Sequence, residues 1–240
     1  MTTTNKGDLS ALTPSQRKRY EDSAKRMIPT LLRLRFGDAE SLAQKTPEAQ
    51  QLASVARGAR TAWEQIHATH WRTLTDTTAT ESARLVRSAT HARRQLKSMA
   101  ERYESAINSA ETKLGQLKGK IEDQLRPPQH AGLATVAAEL RAYVRSLEPG
   151  AVMSAVRSDP RILDAVASAP AVLSGLAPEN WATARAEYLQ ATIPDTFEEY
   201  NDLRAAVESA LTAHDALTKE TRTLIDFETA DALESHKVEA

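Results

Sequence analysis

Glu64-Gln65-Ile66-His67 sets a carboxylate and an imidazole one helical turn apart. Di-metal carboxylate sites in helical bundles use that Glu-x-x-His spacing. His70 follows one turn further on the same face, with Trp63 and Trp71 beside it. Such a metal site needs a second Glu-x-x-His on a facing helix and two further glutamates, and the chain holds no second copy. Two ligands at helical spacing hold a metal weakly. The expectation is therefore no metal centre, with Glu64 and His67 on a helix face whose histidines are ordinary exposed or capping ones.

Other residues that could do chemistry lack the partners it requires. His91, His130 and His236 stand in no ligand or triad pattern. Ser174, in Leu173-Ser174-Gly175, reads as part of a turn, and no Gly-x-Ser-x-Gly elbow occurs. Glu198 and Glu199 sit near a helix start, where acids complement the helix dipole without any acid–base role. Neither phosphate-loop glycine motif is present. With no cysteine, disulfides and thiolate metal centres are excluded. The sequence predicts no cofactor and no enzyme activity.

The best binding candidate is a cluster of charge. Between Pro14 and Phe36 lie Arg17, Lys18, Arg19, Lys25, Arg26, Arg33 and Arg35, opposed only by Glu21 and Asp22. Arg17, Lys18 and Arg19 could contact a polyanion, and without a base-reading module such contact would be non-specific and salt-sensitive. Leu31, Leu32, Leu34 and Phe36 suit membrane-surface or partner docking equally well. The simpler alternative is a solvated face balanced by an acidic C-terminus.

The elements that position these residues are helices. The 240 residues include eight glycines, ten prolines and a 5% share of aromatics, and the formal net charge is −1. Few glycines and aromatics argue against β-sandwiches and base-stacking platforms, and the net charge gives no bulk attraction to polyanions. The hydrophobic share of 41% is largely alanine, which suits elongated helices. No stretch approaches the roughly 18–20 apolar residues of a membrane span, and the N-terminus lacks an apolar secretory region. The expected location is the cytoplasm or a virion.

Residues 1–12 read as a disordered tail and 13–45 as a basic helical segment opened by Thr13-Pro14, broken at Pro29 and ended by Gly37. Thr46-Pro47-Glu48 is a second helix start, and no proline follows until Pro127. Residues 46–126 are therefore one long helix or a hairpin, bent at Thr75–Thr80, where short polar side chains compete for backbone bonds. A coiled-coil stripe runs through Leu96, Met99, Tyr103, Ile107, Leu114, Leu117 and Ile121. Pro127-Pro128 to Gly132 marks the main domain boundary. A small module of short helices spans 133–193, and one acidic helix spans 195–236 with Leu203, Leu217 and Leu224 on its seam. There His214 and Thr221 are polar positions that fix pairing register. Residues 81–126 carry ten bases and six acids, and 195–240 carry twelve acids and four bases. The acidic helix is expected to pack antiparallel on the basic one.

The stretch Asp159-Pro160-Arg161-Ile162-Leu163-Asp164 through Ala169-Pro170-Ala171-Val172-Leu173-Ser174-Gly175-Leu176 to Trp181 resembles a segment of small helical proteins encoded among structural genes of tailed bacteriophages and prophages. The resemblance covers 159–181 and implies a virion or virion-assembly component; it carries no site residues. The expectation is an all-α, elongated structural protein acting through helix pairing. Its partner would be a second copy, as a homo-oligomer, or another assembly component. The alternative is a nucleic-acid- or lipid-associated adaptor using the basic helix 17–35.

Overall fold

The computed structural model describes residues 13–15, 17–23 and 46–238, with the side chains of these up to Ser235. The expected tail at 1–12 and the basic segment over 24–45 lie outside the described residues. The fold is all-α, with no strand among the described residues. It divides into two compact units, one of residues up to Glu111 together with those from Leu203, the other Thr112–Asp202.

In the first unit, helix α1 (Pro47–Leu74) starts where the sequence signals it. Thr46 Oγ1 accepts the Ala49 N–H at 3.1 Å, Pro47 occupies the first turn, and Glu48 faces the positive end of the dipole. Its buried face holds Leu52, Val55, Ala59, Ala62 and Ile66, widened by Trp63, His67, His70 and Trp71. The chain then turns. Asp76 Oδ1 accepts the Thr78 N–H at 3.0 Å, and Thr80 Oγ1 accepts the Ala83 N–H at 3.3 Å. These short side chains satisfy donors that a continuous helix would have bonded itself. Arg84 donates to the Leu74 carbonyl at 2.9 Å, closing the end of α1.

Helix α2 (Glu81–Gln124) returns antiparallel to α1, so 46–126 is a hairpin. His70 meets Ser88 near the turn, and Gln51 meets Ser105 far from it. Gly58 leaves room for the Met99 side chain of α2, whose Cε would lie 3.3 Å from a Cβ there. Helix α8 (Pro194–Leu224) and helix α9 (Phe227–Val238) are two, not the single acidic helix expected over 195–236. Asp226 is the reason. Its carboxylate accepts the Thr229 N–H at 3.0 Å and the Thr229 hydroxyl at 2.6 Å, which starts a new helix. Ile225, buried at the break, anchors it.

The second unit contains α3 (Ala131–Ser146), α4 (Val152–Ser158), α5 (Pro160–Ala167), α6 (Ala171–Ser174) and α7 (Pro178–Thr192). Asp159 caps α5 by accepting the Arg161 N–H at 2.8 Å, with Pro160 next. Gly175 ends α6 at φ 75°, a left-handed conformation that favours glycine. The core gathers Val144, Val152, Val156, Ile162, Val166 and Leu176. Full burial of such side chains is worth roughly 1.5–3 kcal/mol each. A second cluster joins Ile121 and Leu125 of the α2 end to Ala167 and Leu189. Pro127–Gly132 is consequently not a boundary between units. Apolar residues before the prolines pack on helices after them, and the division falls within α2 and α8.

Candidate functional site

The Glu64–His67 turn lies in a buried aromatic cluster. The His67 ring stands 4.2 Å from Tyr20, 5.3 Å from Trp63 and 6.2 Å from Trp71, centroid to centroid. Trp71 Nε1 donates to His67 Nε2 at 3.2 Å. Indole nitrogen only donates, so Nε2 is unprotonated and the ring is neutral, with its proton on Nδ1. Ser23 Oγ, from the helical stretch 17–23, meets the same Nε2 and also reaches the Tyr20 carbonyl at 3.1 Å. His70 Nδ1 lies 2.8 Å from Ser88 Oγ.

Both histidines are buried, contrary to the expected exposed face. Burial pushes the His67 pKa down to about 4; His70 pushes it the same way, and the Tyr20 carbonyl opposes. Burial likewise lowers His70 to about 4. Burial and the charge of Glu64 both raise the Tyr20 pKa.

This geometry limits the chemistry. The His67 Nε2 lone pair is committed to Trp71 and covered by Ser23, and Glu64 is paired with Arg60 at 3.1 Å. No group of three potential metal-ligating side chains occurs among the described residues. The Ser23–His67 contact has the form of a nucleophile and its base. A base with a pKa near 4 that already accepts an indole N–H takes a serine proton poorly at neutral pH. The cluster's evident work is packing, holding 17–23 against α1. The sequence showed the tryptophans beside His67 but nothing that brings Tyr20 and Ser23 there from more than forty residues upstream.

The seam residues fall in both units. In the first, Met99, Tyr103, Leu203 and Leu217 are buried, and Leu96, Ile107 and Leu224 are half-buried. Tyr103 and His214 stack at 4.7 Å. Arg93 joins α2 to α9: it pairs with Asp231 and, at 3.5 Å, with Glu234, donates to the Phe227 carbonyl at 3.3 Å and lies 5.2 Å from the Phe227 ring. The C-terminal helices therefore run antiparallel along α2, basic side chain to acidic. Thr221 is fully buried and donates back to the Leu217 carbonyl at 2.7 Å rather than across the seam. In the second unit Leu117 and Ile121 are buried and Leu114 is half-buried, while Lys113 pairs with Glu199 at 3.0 Å.

Arg17, Lys18 and Arg19 are exposed on the described helical stretch. A different apolar surface escaped the heptad reading. On α3, Leu133, Val136 and Tyr143 are 60%, 48% and 49% exposed, with half-buried Leu140 between them. Their spacing of three, four and three puts them on one stripe. The signal was in the sequence, but a stripe alone does not say which apolar face a module buries.

No family model, no curated protein and no solved structure matches this chain. No helix among the described residues is long and apolar enough to cross a membrane.

Proposed function

We propose that this chain is a non-enzymatic structural protein that acts by helix pairing, as a virion or virion-assembly component, and that its first partner is a second copy. The observation that carries this reading is the α3 stripe of Leu133, Val136 and Tyr143, apolar and about half exposed, with Leu140 between them packed on the module's core. Ala131, Gly132 and Ala134 on the same turns are exposed and small, so a second helix can approach closely. The α2 seam is occupied by the chain's own C-terminal helices. Of the exposed apolar side chains on other helices, Val172 and Leu173 of the one-turn α6 and the single Leu211 of α8 form no comparable stripe, which favours α3 as the face for a partner. The low basicity of His67 supports a non-enzymatic role. Sedimentation velocity over a hundredfold concentration range tests the reading. Mass should rise above the 26.3 kDa monomer, and Leu133→Lys with Val136→Lys should hold it there. A wild-type chain that stays monomeric throughout overturns the pairing.

A second reading is favoured by the exposure of Arg17, Lys18 and Arg19. These cations would hold a polyanion, nucleic acid or anionic lipid, through phosphate contacts. Retention on heparin at moderate salt, lost in the triple alanine variant, supports it; flow-through at low salt ends it.

A further inference from the structure

We infer that the docking of residues 17–23 on α1 is a proton-controlled latch with His67 as its sensor. The inference is independent of the pairing reading and rests on the burial of His67 beneath Tyr20 and Ser23 of that stretch. His67 Nε2 is the acceptor for Trp71 Nε1–H and lies against Ser23 Oγ, whose proton goes to the Tyr20 carbonyl. A proton on Nε2 would set two N–H donors against each other, because the indole has no lone pair to offer. Ser23 could rotate to accept; Trp71 could not, but it sits on α1 with His67 and keeps that conflict whether or not 17–23 is docked, so what couples the proton to docking is the cover that Tyr20 lays over the ring. The ring is also covered by Tyr20 at 4.2 Å and backed by Trp63 at 5.3 Å. A charged imidazole there is cut off from water unless the 17–23 stretch lifts.

Among the described residues, the surrounding groups do not rescue the charge. On α1, Glu64 is held by Arg60, and His70 disfavours a second positive ring. From α2, Ser88 bonds His70. Arg19 and Asp22 of 17–23 line the open groove beside Trp71, with Thr223 and Leu224 of α8 opposite. Among the described residues only the Tyr20 carbonyl favours the charged ring, and it leaves with the latch. When the stretch lifts, His67 returns toward its ordinary value of 6.5. Because Trp63, Trp71 and His70 stay beside the ring on α1, a full return from about 4 to 6.5 is the upper limit, and it lowers the docking constant by at most about 30-fold at pH 5 relative to pH 8.

The chain has no cysteine, so Lys18→Cys and Arg57→Cys, both at exposed positions, place one nitroxide on the latch and one on α1. Double electron–electron resonance on the full chain at pH 8, 6, 5 and 4 reads the distance, and circular dichroism at each pH reports whether the helices persist. A longer distance should grow in between pH 6 and 4 while helicity is retained. His67→Gln, whose carbonyl can accept from Trp71, should abolish that growth, whereas His70→Gln should retain it. A single unchanged distance down to pH 4, or the same growth in His67→Gln, overturns the inference. Should His67→Gln fail to fold, the His67 ring titration followed by NMR in the unsubstituted chain decides: opening must coincide with its protonation.

Discussion

Arg93 is the side chain through which α2 grips the C-terminus, and Arg93→Ala is the perturbation whose cost follows most directly from the structure. The guanidinium is one-third exposed and meets two exposed acids, Asp231 and Glu234. Such pairs contribute roughly 0.2–1 kcal/mol each after screening. Its bond to the Phe227 carbonyl contributes about 1 kcal/mol more. The position over the Phe227 ring adds about 0.5 kcal/mol. Truncation should therefore cost about 2 kcal/mol, equivalent to a Tm drop of roughly 4–8 °C in a chain of this size. Thermal and urea unfolding measure it, and a double-mutant cycle with Asp231→Asn isolates the ion pair, whose coupling should be about 0.5 kcal/mol and shrink at 1 M salt. An Arg93→Ala chain within about 0.3 kcal/mol of the parent would refute the argument that this contact fixes α9 on α2.

Three further outcomes follow from single groups. Gly175→Ala forces a Cβ to within 2.2 Å of Arg145 Cγ at φ 75°, costing about 1 kcal/mol in backbone strain and about 1 more as Arg145 leaves the Leu173 carbonyl; urea unfolding should show the second part vanish in an Arg145→Ala background. Tyr103→Phe removes a buried hydroxyl that has no hydrogen-bond partner among the described residues, so stability should rise by about 1 kcal/mol by the same measurement. Burial holds His67 and His70 at a pKa of about 4 in the folded chain against 6.5 ordinarily. The unfolded chain takes up protons first, so the stability these rings contribute is intact above pH 6.5 and is lost as pH falls to 4, roughly 3 kcal/mol for His70 and, for His67, no more than the docking of 17–23 is worth, since its ring is freed within the folded chain; urea midpoints at pH 7.5, 5.5 and 4.5 should track that loss, and the double glutamine variant should flatten it.

Local punctuation was the most legible part of the sequence. Thr46-Pro47, Asp159-Pro160 and the Thr75–Thr80 cluster each act through a side chain competing with its own backbone, a contest decided within a few residues. Asp226 follows the same chemistry and was still missed, because the three–four apolar alternation runs up to Leu224 and looked as though it continued. The unit division and the histidine cluster were not legible for a different reason. Ile121 meeting Leu189, and Ser23 meeting His67, depend on contacts across long stretches of chain, which no periodicity encodes. The α3 stripe was visible as apolar residues and uninterpretable as a surface until its packed face, Ala137 and Val144, was known.

The central claim is that α3 pairs helices between copies while the α2 seam is closed within each chain. Sedimentation velocity on the full chain, from micromolar to several hundred micromolar, tests it most directly. The account predicts a mass that climbs from 26.3 kDa toward twice that value, with the climb lost in Leu133→Lys/Val136→Lys and retained in Arg93→Ala. A mass fixed at the monomer, or a climb indifferent to Leu133 and Val136, would contradict it.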